Sequence, residues 1–182
     1  LPLTIGGGIK NIEQVQKLLY VGADKISINT ASYLEPNIIN KIANLYGSQC
    51  IVSSVDVRKV DKDKYVCFSH SGTKSTSQDV ISWASELADR GAGEILLTSI
   101  DLDGTMKGYD LNLIEKVVSN VEIPVIASGG AGSYEHMYEA INKAGASAVA
   151  ASSIFQFTEK TPAEAKNFLS KKGIAVRSNF RR

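Results

Sequence analysis

The sequence predicts a parallel α/β fold, a (β/α)8 TIM barrel of half-barrel repeat type, on three observations. Short apolar runs alternate with longer amphipathic stretches along the chain. Most of those runs are continuously apolar or small, as in strands buried on both faces of a parallel sheet. The chain also repeats itself. Placing Pro2 on Pro124 sets Gly7 on Gly129 and Gly8 on Gly130; after a one-residue slip, Gly22-Ala23 falls on Gly145-Ala146 and residues 25–30 on 148–153. A strand, a glycine turn, a helix and a second strand have been used twice, and such repeats come first in reading a fold.

The first strand is expected at residues 3–6, followed by a helix with the apolar stripe Ile12, Val15, Leu18 and Leu19. Asn11 stands as its cap and Gln14 as the third-position partner. A strand at 25–29 precedes the stripe Ile38, Ile39, Ile42 and Leu45, with Pro36 in the early turn. After a strand at 51–56, residues 57–76 break the rhythm: a charged turn at 61–64, then alternating Tyr65 and Cys67. They read as an inserted hairpin ending in a long flexible loop rich in Ser and Gly, of the kind that closes over ligands. Ile81, Ala84, Leu87 and Ala88 mark the next helix, which leads to a strand at 94–100. Ile114, Val117 and Val118 precede a strand at 125–128, and Met137, Ala140 and Ile141 precede one at 148–152. Thr161-Pro162 caps and opens a last helix that buries Ala165, Phe168 and Leu169.

An open doubly wound sheet and a barrel both accommodate six strand–helix units in a row. The repeat favours the barrel, because half-barrel duplication sets like units four strands apart, and here the first echoes the fifth and the second the sixth. On that count residues 1–182 are one barrel domain holding strands three to eight. Two further units are expected ahead of Leu1, since six strands do not close a barrel of this type.

Charge is balanced, 20 Lys plus Arg against 19 Asp plus Glu for a net +1, which argues against a nucleic-acid surface or a basic membrane-binding face. Cys50 and Cys67 make no metal spacing and no disulfide framework, as in a reducing cytoplasm, and no membrane-length apolar run occurs. A cytoplasmic location is expected, with no metal and no cofactor.

Barrels of this type carry their active face at the C-terminal strand ends. Here those ends are glycines, hydroxyls and a few carboxylates, the makings of an anion-binding rim. Glycine lets backbone N–H groups approach a phosphate closely. Gly8, Asn29 and Thr30 form one candidate cradle; Asp103, Gly104, Gly129, Gly130, Ala151 and Ser152 form its repeat-related counterpart. The plain alternative is that the glycines only make tight strand-to-helix turns. Their pairing with hydroxyls from the next strand, twice over, favours phosphate. Asp56, ending an apolar strand, is the candidate general acid or base, against capping of a turn as the commoner fate. Asp103 reads as a turn or supporting group, and His70 and His136 as loop and helix-surface residues. Lys25 and Glu94 sit at the opposite, N-terminal strand ends.

Six stretches together resemble the cyclase subunits of imidazole glycerol phosphate synthase: LTIGGGI, GADKISINTA, GSQCIVSSVDVR, RGAGEILLTSIDLDGTMKGYD, IPVIASGGAG and SIFQF with GIAVR. The resemblance covers nearly the whole chain. It implies an enzyme that takes ammonia from a glutaminase partner and reacts it with a bisphosphorylated ribulosyl aminoimidazole carboxamide nucleotide. The products are imidazole glycerol phosphate and the carboxamide nucleotide AICAR. The family uses two catalytic aspartates; Asp56 matches the one on the fifth barrel strand, and the one on the first has no counterpart in residues 1–182. By the same resemblance Lys25 and Glu94 match a charged ring guarding an ammonia passage, and Asp24 a residue of the glutaminase docking face. The segments Ser-Val-Asp-Val-Arg and Asp-Gly-Thr-Met-Lys-Gly-Tyr-Asp also resemble a paralogous branch that supplies ammonia for amidination of bacterial surface sugars.

Overall fold

A computed structural model describes residues 2–177; Leu1 and residues 178–182, the extreme ends of the expected domain, lie outside the described residues. Six parallel strands form a curled sheet: β1 (Thr4–Gly6), β2 (Lys25–Ile28), β3 (Ile51–Asp61), β6 (Glu94–Ser99), β7 (Val125–Ser128) and β8 (Ala148–Val149), hydrogen-bonded in that order. Helices lie between them, the arrangement of a TIM-type α/β barrel. Among the described residues no pairing joins β1 to β8, so the six strands make an arc.

Side chains alternate across each strand. Ile26 and Ile28, Ile51 and Val55, Ile95 and Leu97, and Val125 and Ala127 are buried beneath the helices. Their neighbours Ser27, Ser54, Asp56, Glu94, Thr98 and Ser128 stay half-buried on the inner face. Val52, Leu96 and Ile126 share that face, which is therefore mixed, and apart from Glu94 its polar groups on β3, β6 and β7 lie toward the C-terminal strand ends.

The helices meet the sheet along their expected stripes. α1 (Ile12–Tyr20) is capped by Asn11, whose Oδ1 accepts from Gln14 N at 3.0 Å. Gln14 reaches back to Lys10 N at 2.7 Å, one residue before the cap, instead of to Asn11 itself. α3 (Asn37–Tyr46) buries Ile38, Ile39 and Ile42, but Leu45, on the same stripe in the last turn of the helix, is 63 % exposed. α4 (Val80–Asp89) buries Trp83 beside Ala84 and Leu87. α5 (Leu111–Val118) and α6 (Tyr134–Asn142) follow, and α8 (Pro162–Lys171) opens with a full capping box of Thr161 and Glu164. In α8 Phe168 is only partly buried, tilted against Tyr134 at 6.0 Å. Two short helices, α2 (Thr30–Leu34) and α7 (Ser153–Gln156), were not expected; they start at the equivalent ends of β2 and β8.

The repeat holds at the level of backbone angles. Asn11 and its counterpart Ser133 cap α1 and α6 at φ/ψ −151/169 and −147/163. Asn29 and its counterpart Ser152 precede α2 and α7 at −120/−84 and −126/−64.

The inserted hairpin differs from its expected form. β3 runs on past Asp56 to Asp61 and pairs with β4 (Lys64–Ser69), which pairs with a third strand, β5 (Lys74–Asp79). In place of a long loop there is a tight turn, where Thr73 N donates to Ser69 O at 3.2 Å and Thr73 Oγ1 to His70 O at 2.7 Å. β5 is polar and exposed along almost its whole length, so it carries no apolar period to betray it.

Candidate active site

Two cavities open at the C-terminal ends of the parallel strands. The larger, about 900 Å³, is lined by Gly8 after β1, Asn29 and Thr30 after β2, and Asp56 on β3. The smaller, about 160 Å³, is lined by Asp103 and Gly104 after β6, Gly129 and Gly130 after β7, and Ala151 and Ser152 after β8. The residues expected in each cradle therefore meet in one cavity, and the two cavities are related by the repeat. The larger is of nucleotide size.

Two glycines show how the backbone makes these hollows. Gly130 has φ +105°, and a Cβ there would lie 2.0 Å from Gly108 O, whose own N–H donates to Gly130 O at 2.7 Å. Only glycine permits that approach. Gly8 also lies at positive φ, +69°, but faces open space in the cavity.

Asp56 projects inward from β3. Its Oδ2 accepts from Asn29 Nδ2 at 2.9 Å and its Oδ1 from Ser54 Oγ at 3.5 Å. Burial pushes the carboxyl above the usual carboxylate range; the Ser54 hydrogen bond draws it back, the negative charge of Asp103 raises it, and the Asn29 hydrogen bond lowers it. A carboxyl held in this way at a cavity wall is a candidate for proton transfer. Asn29 Nδ2 also reaches Phe68 O at 3.4 Å, while its Oδ1 is buried with no hydrogen-bond partner.

The histidines lie where expected, His70 in an exposed turn and His136 on a helix, and each also touches the site. His70, in the turn after β4, lines the larger cavity, and its N–H donates to Thr30 Oγ1 at 3.0 Å. His136 on α6 accepts from Gly132 N through Nδ1 at 3.2 Å, so it supports the turn beneath the second cradle. The His70 contact had no sequence signal, because it depends on a fold-back across 40 residues, whereas the His136 contact spans only four. Asp103 lines the smaller cavity as part of a turn, its N–H bonded to Ser99 O at 3.0 Å.

At the other end of the strands, Lys25 opening β2 and Glu94 opening β6 form a half-buried ion pair across β3. Neighbouring Asp24 is exposed, and its carboxylate accepts from Leu3 N at 2.7 Å. Among the described residues no helix is long and apolar enough to cross a membrane.

Residues 1–161 match the family described as "Histidine biosynthesis protein". The chain is similar to "Imidazole glycerol phosphate synthase subunit HisF" of Pelodictyon phaeoclathratiforme, with 48% identity over 177 residues, 97% of this chain and 70% of the relative. The protein of the same description from Chlorobium luteolum matches with the same identity and coverage.

Proposed function

The chain belongs to the HisF family of histidine-biosynthesis proteins, and from that premise we propose that it is the cyclase subunit of an imidazole glycerol phosphate synthase. In this reading it accepts ammonia from a glutaminase subunit and reacts it with a bisphosphorylated ribulosyl aminoimidazole carboxamide nucleotide. Imidazole glycerol phosphate and AICAR leave, and the enzyme works in the cytoplasm. The observation that carries the proposal is Asp56, with its raised carboxyl, standing on the same strand-end face as two repeat-related glycine cradles.

Each cradle takes one phosphate. Gly8, Asn29 and Thr30 hold the first, and Asp103, Gly104, Gly129, Gly130, Ala151 and Ser152 frame the second. A substrate anchored at both ends cannot slide, which holds its reacting atoms against Asp56. Asp56 then exchanges protons as ammonia adds to the ketose carbonyl and the amine departs. Its partly buried setting favours this, since a carboxyl titrating above its ordinary range accepts and returns a proton more readily near neutrality. Ammonia enters from the opposite end, past the Lys25–Glu94 pair, and Asp24 lies on the face that meets the glutaminase.

The test is ammonia-dependent turnover of the bisphosphorylated nucleotide by the native protein and by Asp56→Asn. The variant is expected to lose turnover by about 100-fold or more while still binding substrate. Unchanged turnover overturns the assignment. Complementation of a strain lacking the cyclase separates the pathway from sugar amidination: soluble protein without growth on medium lacking histidine overturns the histidine-pathway reading.

A further inference from the structure

The turn that joins β4 to β5 touches the first cradle, and no role in the reading above requires it. His70 and Ser71 lie at φ +53° and +57°, two successive non-glycine residues in the left-handed region. Strain of this kind concentrates where a site needs a particular geometry. The turn is fastened to the cradle, since His70 N–H donates to Thr30 Oγ1 at 3.0 Å and Asn29 Nδ2 reaches Phe68 O at 3.4 Å.

The ring has a defined orientation. Ser69 Oγ donates to Lys74 O at 3.3 Å and lies 2.9 Å from His70 Nδ1. With its proton given to Lys74, the serine oxygen accepts Nδ1–H, which leaves Nε2 as the uncommitted edge. From that edge an imidazolium ring donates a charge-assisted hydrogen bond to a phosphate oxygen.

Charge in the cavity requires such a donor. The titratable groups lining it among the described residues are Lys10, Glu35, Asp56 and His70, and Glu35 is engaged by Lys41 at 2.5 Å. A phosphate dianion beside Asp56 meets repulsion that Lys10 alone balances. We propose that His70 is a phosphate-binding side chain of the first cradle, directing Nε2 at a phosphate monoester held by Gly8 and Thr30; this rests on the cyclase reading for the substrate's identity, though not for the contact.

The test is an amide-NMR titration with ribose 5-phosphate, following Gly8 and Thr30, on the native protein, His70→Asn and His70→Lys. Asparagine tolerates the left-handed backbone, so the turn survives while the cation is lost. His70→Asn is expected to bind about tenfold more weakly and His70→Lys within about threefold of native. In turnover, His70→Asn should raise KM by a similar factor and leave kcat within about twofold, a split that a merely structural turn would not produce. Native-like binding by His70→Asn overturns the proposal, as does absence of ribose 5-phosphate binding at Gly8 and Thr30 in the native protein. His70-dependent binding without cyclase turnover would overturn the cyclase reading and leave the contact standing.

Discussion

The burial of Asp56 has a consequence for stability, and its sign can be worked out. Burial raises its folded-state carboxyl above the roughly 3.9 of an unfolded aspartate. The folded protein therefore holds the proton more tightly, and the stability Asp56 contributes is present below about pH 4 and lost as pH rises through the raised value. At neutral pH the ionised side chain destabilises the fold, and Asp56→Asn relieves it. Thermal melts should show Asp56→Asn higher than native by on the order of 2 °C at pH 7, with the gap closing toward pH 4. A lower melting temperature at pH 7 would contradict the burial argument. At this scale Asp56 was visible in sequence because an acid ending an apolar strand stands out. His70 was not, since nothing local places a loop histidine against Thr30, forty residues earlier in the chain.

At the scale of elements, one side chain ties the β4–β5 hairpin to the helix that follows β6. Tyr65 on β4 is 2 % exposed, and its hydroxyl sits 3.1 Å from both carboxylate oxygens of Asp110 and accepts from Asn112 Nδ2 at 3.1 Å. Asp110 also caps α5 through Leu113 N at 3.0 Å. One hydroxyl thus links the hairpin to the start of the helix that follows β6. Tyr65→Phe should cost about 1–2 kcal/mol in urea unfolding, because Asp110 and Asn112 lose a partner in a part-buried site. Amide exchange should quicken in β4 and β5 with β6 little changed; equal protection throughout would mean the hairpin is held by other contacts. Capped amphipathic helices were legible from sequence because their signals lie within one turn. β5 was not, since an edge strand of polar residues is made by pairing alone.

At the scale of the whole molecule, the repeat produces two cradles that are alike in chain path and unlike in surroundings. Gly8 opens onto the larger cavity, whereas Gly130 is pressed against Gly108 O. Gly8→Ala should cost about 1–2 kcal/mol, the left-handed backbone alone, and Gly130→Ala roughly 4 kcal/mol or more, since a carbonyl must move as well. Urea midpoints of the two variants check this, and equal losses would mean the second turn relaxes freely. The asymmetry has a functional side: Asp56 and the hairpin turn border the larger cavity, while the smaller is framed by the glycine turns and the loop after β6.

The sequence by itself determined the run of parallel strands, their longer helices and the internal repeat, because periodicity, glycine turns and caps are properties of neighbouring residues. The tertiary structure decided which groups from distant segments face one another. The Asn29–Asp56 contact, the Lys25–Glu94 pair, the Tyr65–Asp110 link and the seat of His70 span 27, 69, 45 and 40 residues of chain. Such contacts depend on strand register and on the direction a side chain leaves its strand, and neither is encoded by local pattern.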